Sequence, residues 1–505
     1  MSKIAELKKR LSTVWDLKSA SNLLSWDQQT YMPPHGADSR ARQLATLDRL
    51  AHEILTGDET ARLIEDATRE VNGAASDSDE ACLLRVARRH YDRGAKVPAH
   101  LVEEFSRTCS LAHEAWVEAR RSSDFPLFAP HLSRILELCR EMAECRGYPE
   151  HPFDSLIDEF EPGATASEVR AMFDEMRPRL VALVQAVEGS GVRVDASLLH
   201  QRFDVTRQTA FARFLAEEIG YDFKRGRQDV SAHPFCTSFS AHDVRITVRY
   251  LERFVSAAIF GALHEAGHAL YEQGSPDRFN HTPLRGGASL GLHESQSRLW
   301  ENLVGRSRPF WRRYFPKLAS FFPEQLHGYS VEDFYRAINR VEPSLIRVEA
   351  DEVTYNLHIM VRFELELEML EGKLAVKDVP EAWNHRYEQY LGVVPANDSA
   401  GCLQDIHWAH GILGYFPTYS IGNVLASQLW EQISRDLPDL EAHLEAGRFD
   451  PLRGWLVDKL HSQAKKFLPK ELVQRVTGSP LNCQAFLGYL ERKFGDIYGL
   501  VGAPR

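Results

Sequence analysis

The segment Ala262–Leu270 reads ALHEAGHAL and places three ionisable side chains in an otherwise apolar stretch. Residues four apart share one face of an α-helix, with Cβ atoms about 5–6 Å apart, so His264 and His268 can bind the same ion. Glu265 lies one step round the helix, where it can reach a water on that ion and act as a general base. The pattern predicts the centre of a metallopeptidase, and its alternative is a polar helix face with solvated histidines.

A catalytic zinc site needs a third protein ligand and an open position for water. The metzincin pattern would require glycine at position 271 and histidine or aspartate at position 274. The chain has Tyr271 and Gly274 there, which excludes that class. A glutamate from a following helix is the other common solution, and the next helical pattern offers both Glu294 and Glu301. Spacing alone leaves the choice between these two open.

Helical periodicity dominates the elements that must position these residues. The HEAGH helix is predicted to stop at Gly274, and Leu292–Val304 has the pattern of the next helix. A further helical region is predicted from Val331 to Leu374, with Pro343 as a break or first-turn position. Near the start of the chain, apolar residues follow helical spacing at Ile4, Leu7, Leu11 and Val14.

One stretch departs from the helical pattern. In Asp243–Tyr250, DVRITVRY, apolar and polar residues alternate, which predicts a β-strand in a possible hairpin with the preceding CTSFS. This strand could simply stabilise the fold. Alternatively, it is an edge strand that holds an extended peptide by main-chain hydrogen bonds. The sequence leaves both interpretations open.

The composition excludes several classes of partner. The 505 residues carry a net charge of −11, whereas a nucleic-acid binder usually shows a basic surplus. The N-terminus lacks the apolar core of a secretory signal, and the most apolar stretch, at 254–263, is too short to span a bilayer. The seven cysteines are scattered without a CxxC pair, which fits reduced thiols. We therefore expect a soluble cytoplasmic protein without nucleic-acid or membrane partners.

Over essentially its full length, the chain resembles the M32 family of metallocarboxypeptidases. Six motifs occur in the family order: HPF at His233–Phe235, DVRIT at Asp243–Thr247, HEAGH at His264–His268, HESQ at His293–Gln296, IRVEAD at Ile346–Asp351 and GCLQDIHW at Gly401–Trp408. Two further segments also look like family segments, at Leu23–Pro34 and Gly414–Asn423.

The resemblance implies metal ligands at His264, His268 and Glu294, with Glu265 as the general base, and so favours Glu294 over Glu301. It implies a mainly α, large, cleft-containing metallopeptidase fold with a small antiparallel β-sheet next to the HExxH helix. We expect a single catalytic domain over 1–505, with helical lobes flanking a deep active-site cleft, in a homodimer. One divalent ion per subunit is expected; zinc is the first choice, and cobalt would fit the same ligands.

The function that the resemblance implies is metal-dependent hydrolysis of the C-terminal peptide bond, with broad specificity and peptide substrates that have a free C-terminus. Such an enzyme must recognise a carboxylate, for which arginine offers a matched pair of donors. Arg347 is the arginine that the resemblance supports. The structural alternative for Arg347 is an i,i+4 ion pair with Asp351. The two roles are compatible if Asp351 orients the guanidinium.

Each of the remaining candidates has more than one interpretation. Tyr419 could donate a hydrogen bond to the developing oxyanion, with Tyr415 as the alternative, although such aromatic residues also serve in packing. In GCLQDIHW, three polar side chains could fix the ligand histidines or form a satisfied buried network, namely Gln404, Asp405 and His407. We group five residues as candidates for substrate binding: His233, Asp243, Arg245, Asp405 and His407.

Two other functions compete with the carboxypeptidase. One is an endo-acting zinc oligopeptidase of similar helical fold, which would cleave peptides with amidated C-termini. The other is a catalytically inactive helical binding protein that is stabilised by the metal. The intact Glu265 argues against the second, because a structural site needs no general base and usually closes its fourth position.

Overall fold

The computed structural model describes residues 2–500 of the chain and is mainly α-helical, as predicted. The helices of this described part are, in chain order, α1 (Lys3–Thr30), α2 (Ala37–Thr56), α3 (Asp58–Glu70), α4 (Asp79–Ala95), α5 (Ala99–Ser122), α6 (Phe125–Arg146), α7 (Pro152–Phe160), α8 (Ala166–Gly189), α9 (Val205–Glu218), α10 (Val255–Gln273), α11 (Leu290–Arg298), α12 (Arg308–Phe321), α13 (Val331–Ile338), α14 (Tyr355–Glu371), α15 (Val379–Leu391), α16 (Pro417–Asp436), α17 (Leu440–Glu445), α18 (Asp450–Lys459), α19 (Pro469–Thr477) and α20 (Gln484–Tyr498). A π-helix, Leu299–Val304, continues α11.

The chain forms two compact units, and each contains separate segments. The first unit takes in the chain up to Ala95, together with Asp195–Ile338 and Leu429–Pro480. The second takes in Lys96–Val194, Asn339–Gln428 and the chain from Leu481 onward. The HEAGH and HESQ motifs therefore belong to the first unit, and the IRVEAD and GCLQDIHW motifs belong to the second.

In the first unit, α1 buries the apolar face that its periodicity predicts. Leu7, Leu11 and Val14 are fully buried and pack in one cluster with Leu63 and Ile64 of α3. Long helices owe most of their stability to such burial of one apolar face rather than to intrinsic propensity. The expected stripe at the start of the chain is thus confirmed.

A three-stranded sheet precedes the HEAGH helix, with strands β1 (Gly226–Val230), β2 (Cys236–Ser240) and β3 (Asp243–Val248) in the order β1-β3-β2. The predicted hairpin of β2 and β3 is confirmed. The expectation of an antiparallel sheet is wrong, because β1 pairs with β3 in parallel. The edge-strand interpretation of DVRITV is also wrong, since β3 has a partner on both sides. Alternation shows only that a segment is a strand; it does not show how many neighbours the strand has or in which direction they run.

Helix α10 carries the HEAGH motif and lies inside the first unit. A helix that is apolar on most sides belongs in a protein interior, and α10 buries residues on several sides, among them Ile259, Phe260, Ala262 and Leu263. The helix ends at Gln273 with Gly274 as its C-cap, which confirms the predicted stop. The ionisable groups of this helix are therefore held in a largely dry environment.

The predicted helical region from Val331 to Leu374 is not one continuous element. Helix α13 ends at Ile338, an irregular segment with a single 3₁₀ turn at Arg347–Glu349 follows, and α14 begins at Tyr355. Asp351 lies in the turn before this start, where its Oδ1 accepts hydrogen bonds from the backbone N–H groups of Val353 and Thr354. Because Arg347 lies in the separate 3₁₀ turn and Asp351 lies before α14, the two cannot form an i,i+4 pair within one helix.

Two further predictions from composition concern the described residues. None of the helices between residues 2 and 500 is both long and apolar enough to cross a membrane. All seven cysteines lie in this part of the chain, and each is a free thiol.

Candidate functional site

Three potential ligand atoms converge in the first unit. His264 and His268 project from one face of α10, and Glu294 projects from α11. Glu294 Oε2 lies 3.6 Å from His264 Nε2 and 3.4 Å from His268 Nε2, and all three atoms lie within 4.8 Å of one another. Tetrahedral zinc with bonds of about 2.0–2.2 Å has ligand atoms roughly 3.3–3.6 Å apart. Two imidazoles and a carboxylate at these separations fit a divalent ion.

Glu301, the rival candidate, contacts the other nitrogen of the same imidazole. Its Oε2 lies 2.8 Å from His264 Nδ1, whereas Nε2 faces Glu294. Glu301 thus holds the proton of His264 on Nδ1 and leaves Nε2 free as a ligand. Arg298 links the two carboxylates, with Nε 2.7 Å from Glu294 Oε1 and Nη1 3.2 Å from Glu301 Oε2.

His268 has a different kind of partner. Its Nδ1 lies 2.6 Å from Nδ1 of His293, and Nε2 of His293 lies 3.0 Å from Oε1 of Glu272. Neither Glu272 nor this role of His293 was predicted from the sequence. The signal was available for Glu272, which follows His268 by four residues and therefore shares its helix face.

The charges around the ligand atoms shift their pKa values in opposite directions. Burial lowers the pKa of His264, but Glu294 and Glu301 outweigh it and raise that pKa to about 9. Burial raises the pKa of Glu294, but Arg298 and His264 bring it well below the usual range. Glu294 therefore remains a carboxylate at neutral pH, which is the form that binds metal ions.

Glu265 is buried, with 5 % of its surface exposed, and is not one of the three converging groups. Burial raises its pKa to about 7; Glu294 and Glu301 also raise it, and His264 lowers it. A carboxyl group whose pKa lies near the working pH can both accept and return a proton. This position and environment suit a general base.

Gly267 allows α10 and α11 to approach closely. A Cβ atom at this position would lie 2.7 Å from Gln296 O and 2.8 Å from Ser297 Cα, both of which are backbone atoms. We expect Gly267→Ala to push α11 away, to lower the free energy of unfolding by about 1–3 kcal/mol and to weaken ion binding through Glu294. Denaturant unfolding and metal titration measure the two effects.

Gly261→Ala is the matched control on the same helix. Its Cβ would meet only Pro234 Cγ at 4.0 Å, so we expect no loss of stability, or a gain of about 0.5–1 kcal/mol from the higher helix propensity of alanine. Equal losses in Gly267→Ala and Gly261→Ala would contradict the close-approach explanation.

The second unit contains a buried cluster around Arg347, whose residue surface is 6 % exposed. Its Nε and Nη2 donate to Asp405 Oδ1 at 3.1 and 2.7 Å, and its Nη1 donates to Tyr355 at 3.1 Å. Arg362, which was not predicted from the sequence, donates from Nε to Asp405 Oδ2 at 2.6 Å. The expectation that Asp351 orients Arg347 is wrong, because Asp405 occupies that role.

This cluster carries an excess of positive charge. Two guanidinium groups share the single carboxylate of Asp405, whose pKa they hold far below its usual range despite burial. Burial raises the pKa of the neighbouring Glu366 to about 8 and lowers that of His407 to about 4, so both are mainly neutral at pH 7. A buried net positive charge is costly unless an anion compensates it, and the cluster therefore favours an anionic ligand.

Both candidate tyrosines belong to the same unit as this cluster. The ring of Tyr419 lies 5.0 Å from the Arg347 guanidinium carbon, 6.2 Å from the Tyr355 ring and 5.3 Å from the Tyr415 ring. Tyr415 packs edge-on against Phe160. The ring of Tyr419 therefore contacts the guanidinium of Arg347.

Asp405 and His407 belong to the Arg347 cluster, where His407 Nδ1 lies 3.9 Å from Asp405 Oδ1. The alternative in which they fix the ligand histidines is wrong, because Glu301 and His293 occupy the Nδ1 positions of those rings. Gln404 accepts a hydrogen bond from the Arg347 backbone N–H at 2.9 Å. GCLQDIHW thus supports the arginine rather than the ligand histidines.

The other three candidates for substrate binding lie at the sheet of the first unit. His233 is exposed. Arg245 donates from Nε and Nη2 to the two carboxylate oxygens of Asp243, both at 2.9 Å, and its guanidinium carbon lies 4.4 Å from the ring of Trp26. The planar guanidinium is therefore fixed from two directions.

Comparison with known proteins gives consistent similarities. The family model described as carboxypeptidase Taq (M32) metallopeptidase matches residues 6–494. The chain is 44% identical to thermostable carboxypeptidase 1 of Thermus thermophilus, over 96% of each chain, and 39% identical to carboxypeptidase 1 of Bacillus subtilis, over 98% of this chain and 97% of the relative. The crystal structure of an M32 carboxypeptidase from Deinococcus radiodurans superimposes with a TM-score of 0.96 at 43% identity, over 98% of this chain and 99% of that one.

Proposed function

This chain belongs to the carboxypeptidase Taq (M32) family of metallopeptidases and is a metal-dependent carboxypeptidase, and we propose that it removes single C-terminal residues at the site built by His264, His268 and Glu294. The observation that carries the proposal is the convergence of these three side chains within 4.8 Å beside the buried Glu265. The relatives described above are named as carboxypeptidases, which supports neither an endo-acting oligopeptidase nor an inactive binding protein.

Zinc is the proposed ion, and cobalt would fit the same ligands. Two histidines and a glutamate form one of the ligand sets of catalytic zinc sites, with the fourth position left to water. When bound, the ion supplies Lewis acidity and lowers the pKa of the water it holds. His264 and His268 would offer Nε2, and Glu294 would offer Oε2. Arg298 would still donate a hydrogen bond from Nε to Oε1 of Glu294.

Glu265 is the proposed general base. Its carboxylate takes a proton from the attacking water and later gives this proton to the leaving amine. Burial serves this role, because a carboxyl group in a dry site is a stronger base than one in water. Tyr419 is the proposed donor to the developing oxyanion, since a phenol can donate without carrying a charge.

Arg347 is the proposed receptor for the C-terminal carboxylate of the substrate. The excess of one positive charge in its cluster supports this role, because a carboxylate would neutralise it. Asp405 orients the guanidinium from the Nε and Nη2 side, which leaves the Nη1 side, where Nη1 also donates to Tyr355, to meet a substrate carboxylate. We further propose that His233, Asp243, Arg245 and His407 contribute to substrate binding.

Three proposals on organisation remain from the family resemblance. We propose that the chain acts as a single catalytic domain, that it works as a homodimer, and that it acts in the cytoplasm. Free thiols at all seven cysteines support a reducing compartment. Light scattering of the purified protein tests the dimer: a mass of one chain would contradict it.

A peptide ladder tests the function. We expect mass spectrometry to show stepwise loss of residues from the C-terminus of an unmodified peptide. Activity should disappear with a chelator and return with zinc or cobalt, because the site depends on the ion. The same peptide with an amidated C-terminus is the control and should be cleaved far more slowly. Internal cleavage of the amidated peptide would support an endo-acting enzyme instead.

A further inference from the structure

The two imidazoles of the metal site have different hydrogen-bond partners. Nδ1 of His264 is hydrogen-bonded directly to the carboxylate of Glu301, at 2.8 Å. His268 is hydrogen-bonded to a second imidazole, with 2.6 Å between its Nδ1 and Nδ1 of His293. The other nitrogen of His293, Nε2, lies 3.0 Å from Oε1 of Glu272. The rings of His268 and His293 lie 4.6 Å apart between centroids. A chain of three side chains thus ends at the ligand.

Ion binding assigns one proton position to every nitrogen of this chain. If His268 Nε2 is a ligand, its proton resides on Nδ1 and is donated to Nδ1 of His293. That nitrogen is then an acceptor, so His293 carries its own proton on Nε2. This proton points to Oε1 of Glu272, which can only accept. The carboxylate at the far end therefore fixes the direction of both hydrogen bonds.

Glu272 is itself anchored for this role. Ser238 Oγ and Arg285 Nη2 donate to its Oε2 at 2.7 and 3.1 Å. Burial raises its pKa, but His293, Arg285 and Ser238 together keep that pKa far below the usual range. Oε1 remains for His293. Glu272 also lies on the same face of α10 as His264 and His268, at the next i,i+4 position.

We propose that Glu272 and His293 are positioning residues for the ligand His268, and that their hydrogen-bonded chain fixes its tautomer and ring orientation and thereby slows loss of the ion. This inference rests on the metal site of the proposed function. A carboxylate that polarises an imidazole also makes the imidazole more basic, which strengthens its bond to an ion. His293 transmits this effect from Glu272 to His268 across two hydrogen bonds.

The experiment compares release of the ion among variants of the full-length protein. Each purified variant is loaded with one equivalent of cobalt, mixed with excess chelator, and followed by the absorption of bound cobalt. We expect Glu272→Gln and His293→Phe to accelerate release by about tenfold to a hundredfold. His293→Gln should retain slow release in part, because its amide can accept from His268 and donate to Glu272. His242→Phe, which removes an exposed histidine paired with Asp277 in the same unit, is the control.

The melting temperature of each metal-free variant separates positioning from stability. A purely structural role would lower this temperature in Glu272→Gln and His293→Gln without changing the release rate, and that result would overturn the inference. Release at the wild-type rate from Glu272→Gln would overturn it as well, even if His293→Phe fails to fold. Failure of the wild-type protein to retain any cobalt would instead contradict the proposed metal site, so the two failures are distinguishable.

Discussion

We expect Glu265→Gln to retain the metal ion and to lower kcat by about 10²–10⁴-fold, the usual contribution of a positioned general base. The amide has the shape of the carboxylate but cannot accept a proton from water. Glu265 is not one of the three converging side chains, so its replacement leaves the ligand set intact. Metal analysis and steady-state kinetics on one protein sample measure both effects.

Glu252→Gln is the matched control, because Glu252 lies at the surface of the same unit and pairs with the exposed Arg202. It should retain both the ion and full activity. Full activity in metal-loaded Glu265→Gln would show that another group is the base. Loss of the ion from Glu265→Gln would show that Glu265 belongs to the ligand set.

Arg347→Ala is expected to lower kcat/KM for peptides with a free C-terminus by about 30-fold to 5,000-fold, which corresponds to the cost of removing one partner of a buried charge pair, about 2–5 kcal/mol. Asp405 would remain paired with Arg362, and the positive charge that attracts the substrate would be lost. Arg347→Lys restores the charge but not the planar pair of donors, so we expect an intermediate value. Kinetics with free and amidated forms of one peptide separate carboxylate recognition from other effects.

The slow cleavage of the amidated peptide should change little in Arg347→Ala, because that peptide has no C-terminal carboxylate for Arg347 to bind. Arg340→Ala serves as the control, since Arg340 pairs with Glu342 at the surface of the same unit. Equal losses on the free and the amidated peptide would contradict recognition by Arg347 and indicate a disturbed fold.

Local geometry explains why the core of the site could be predicted. His264 and His268 need only one turn of helix to share a face, and the apolar residues around them predict that helix. The same reasoning could not choose between Glu294 and Glu301, because residues seven apart return to nearly the same face. The structure separates them by which nitrogen of His264 each carboxylate meets. Glu294 lies in α11 and Glu301 in the π-helix that continues it, a change of helix type that the spacing did not predict.

The arginine cluster shows where local reasoning fails. Spacing offered Asp351 as the partner of Arg347 on the assumption that the segment is helical. The structure has a short 3₁₀ turn there and brings Asp405 to the arginine from 58 positions further along the chain. The parallel partner of β3 was missed for the same reason, because strand pairing is set by the path of the chain between the strands.

By itself, the sequence determined the helical class of the fold, the hairpin of β2 and β3, and the pair of histidines with its neighbouring glutamate, since each depends on interactions within a few residues. Tertiary structure decided the partners of those groups: Glu301 and His293 behind the histidines, and Asp405 between two arginines. A buried polar group must find a hydrogen-bond partner, but which residue fills that position depends on how distant segments pack together.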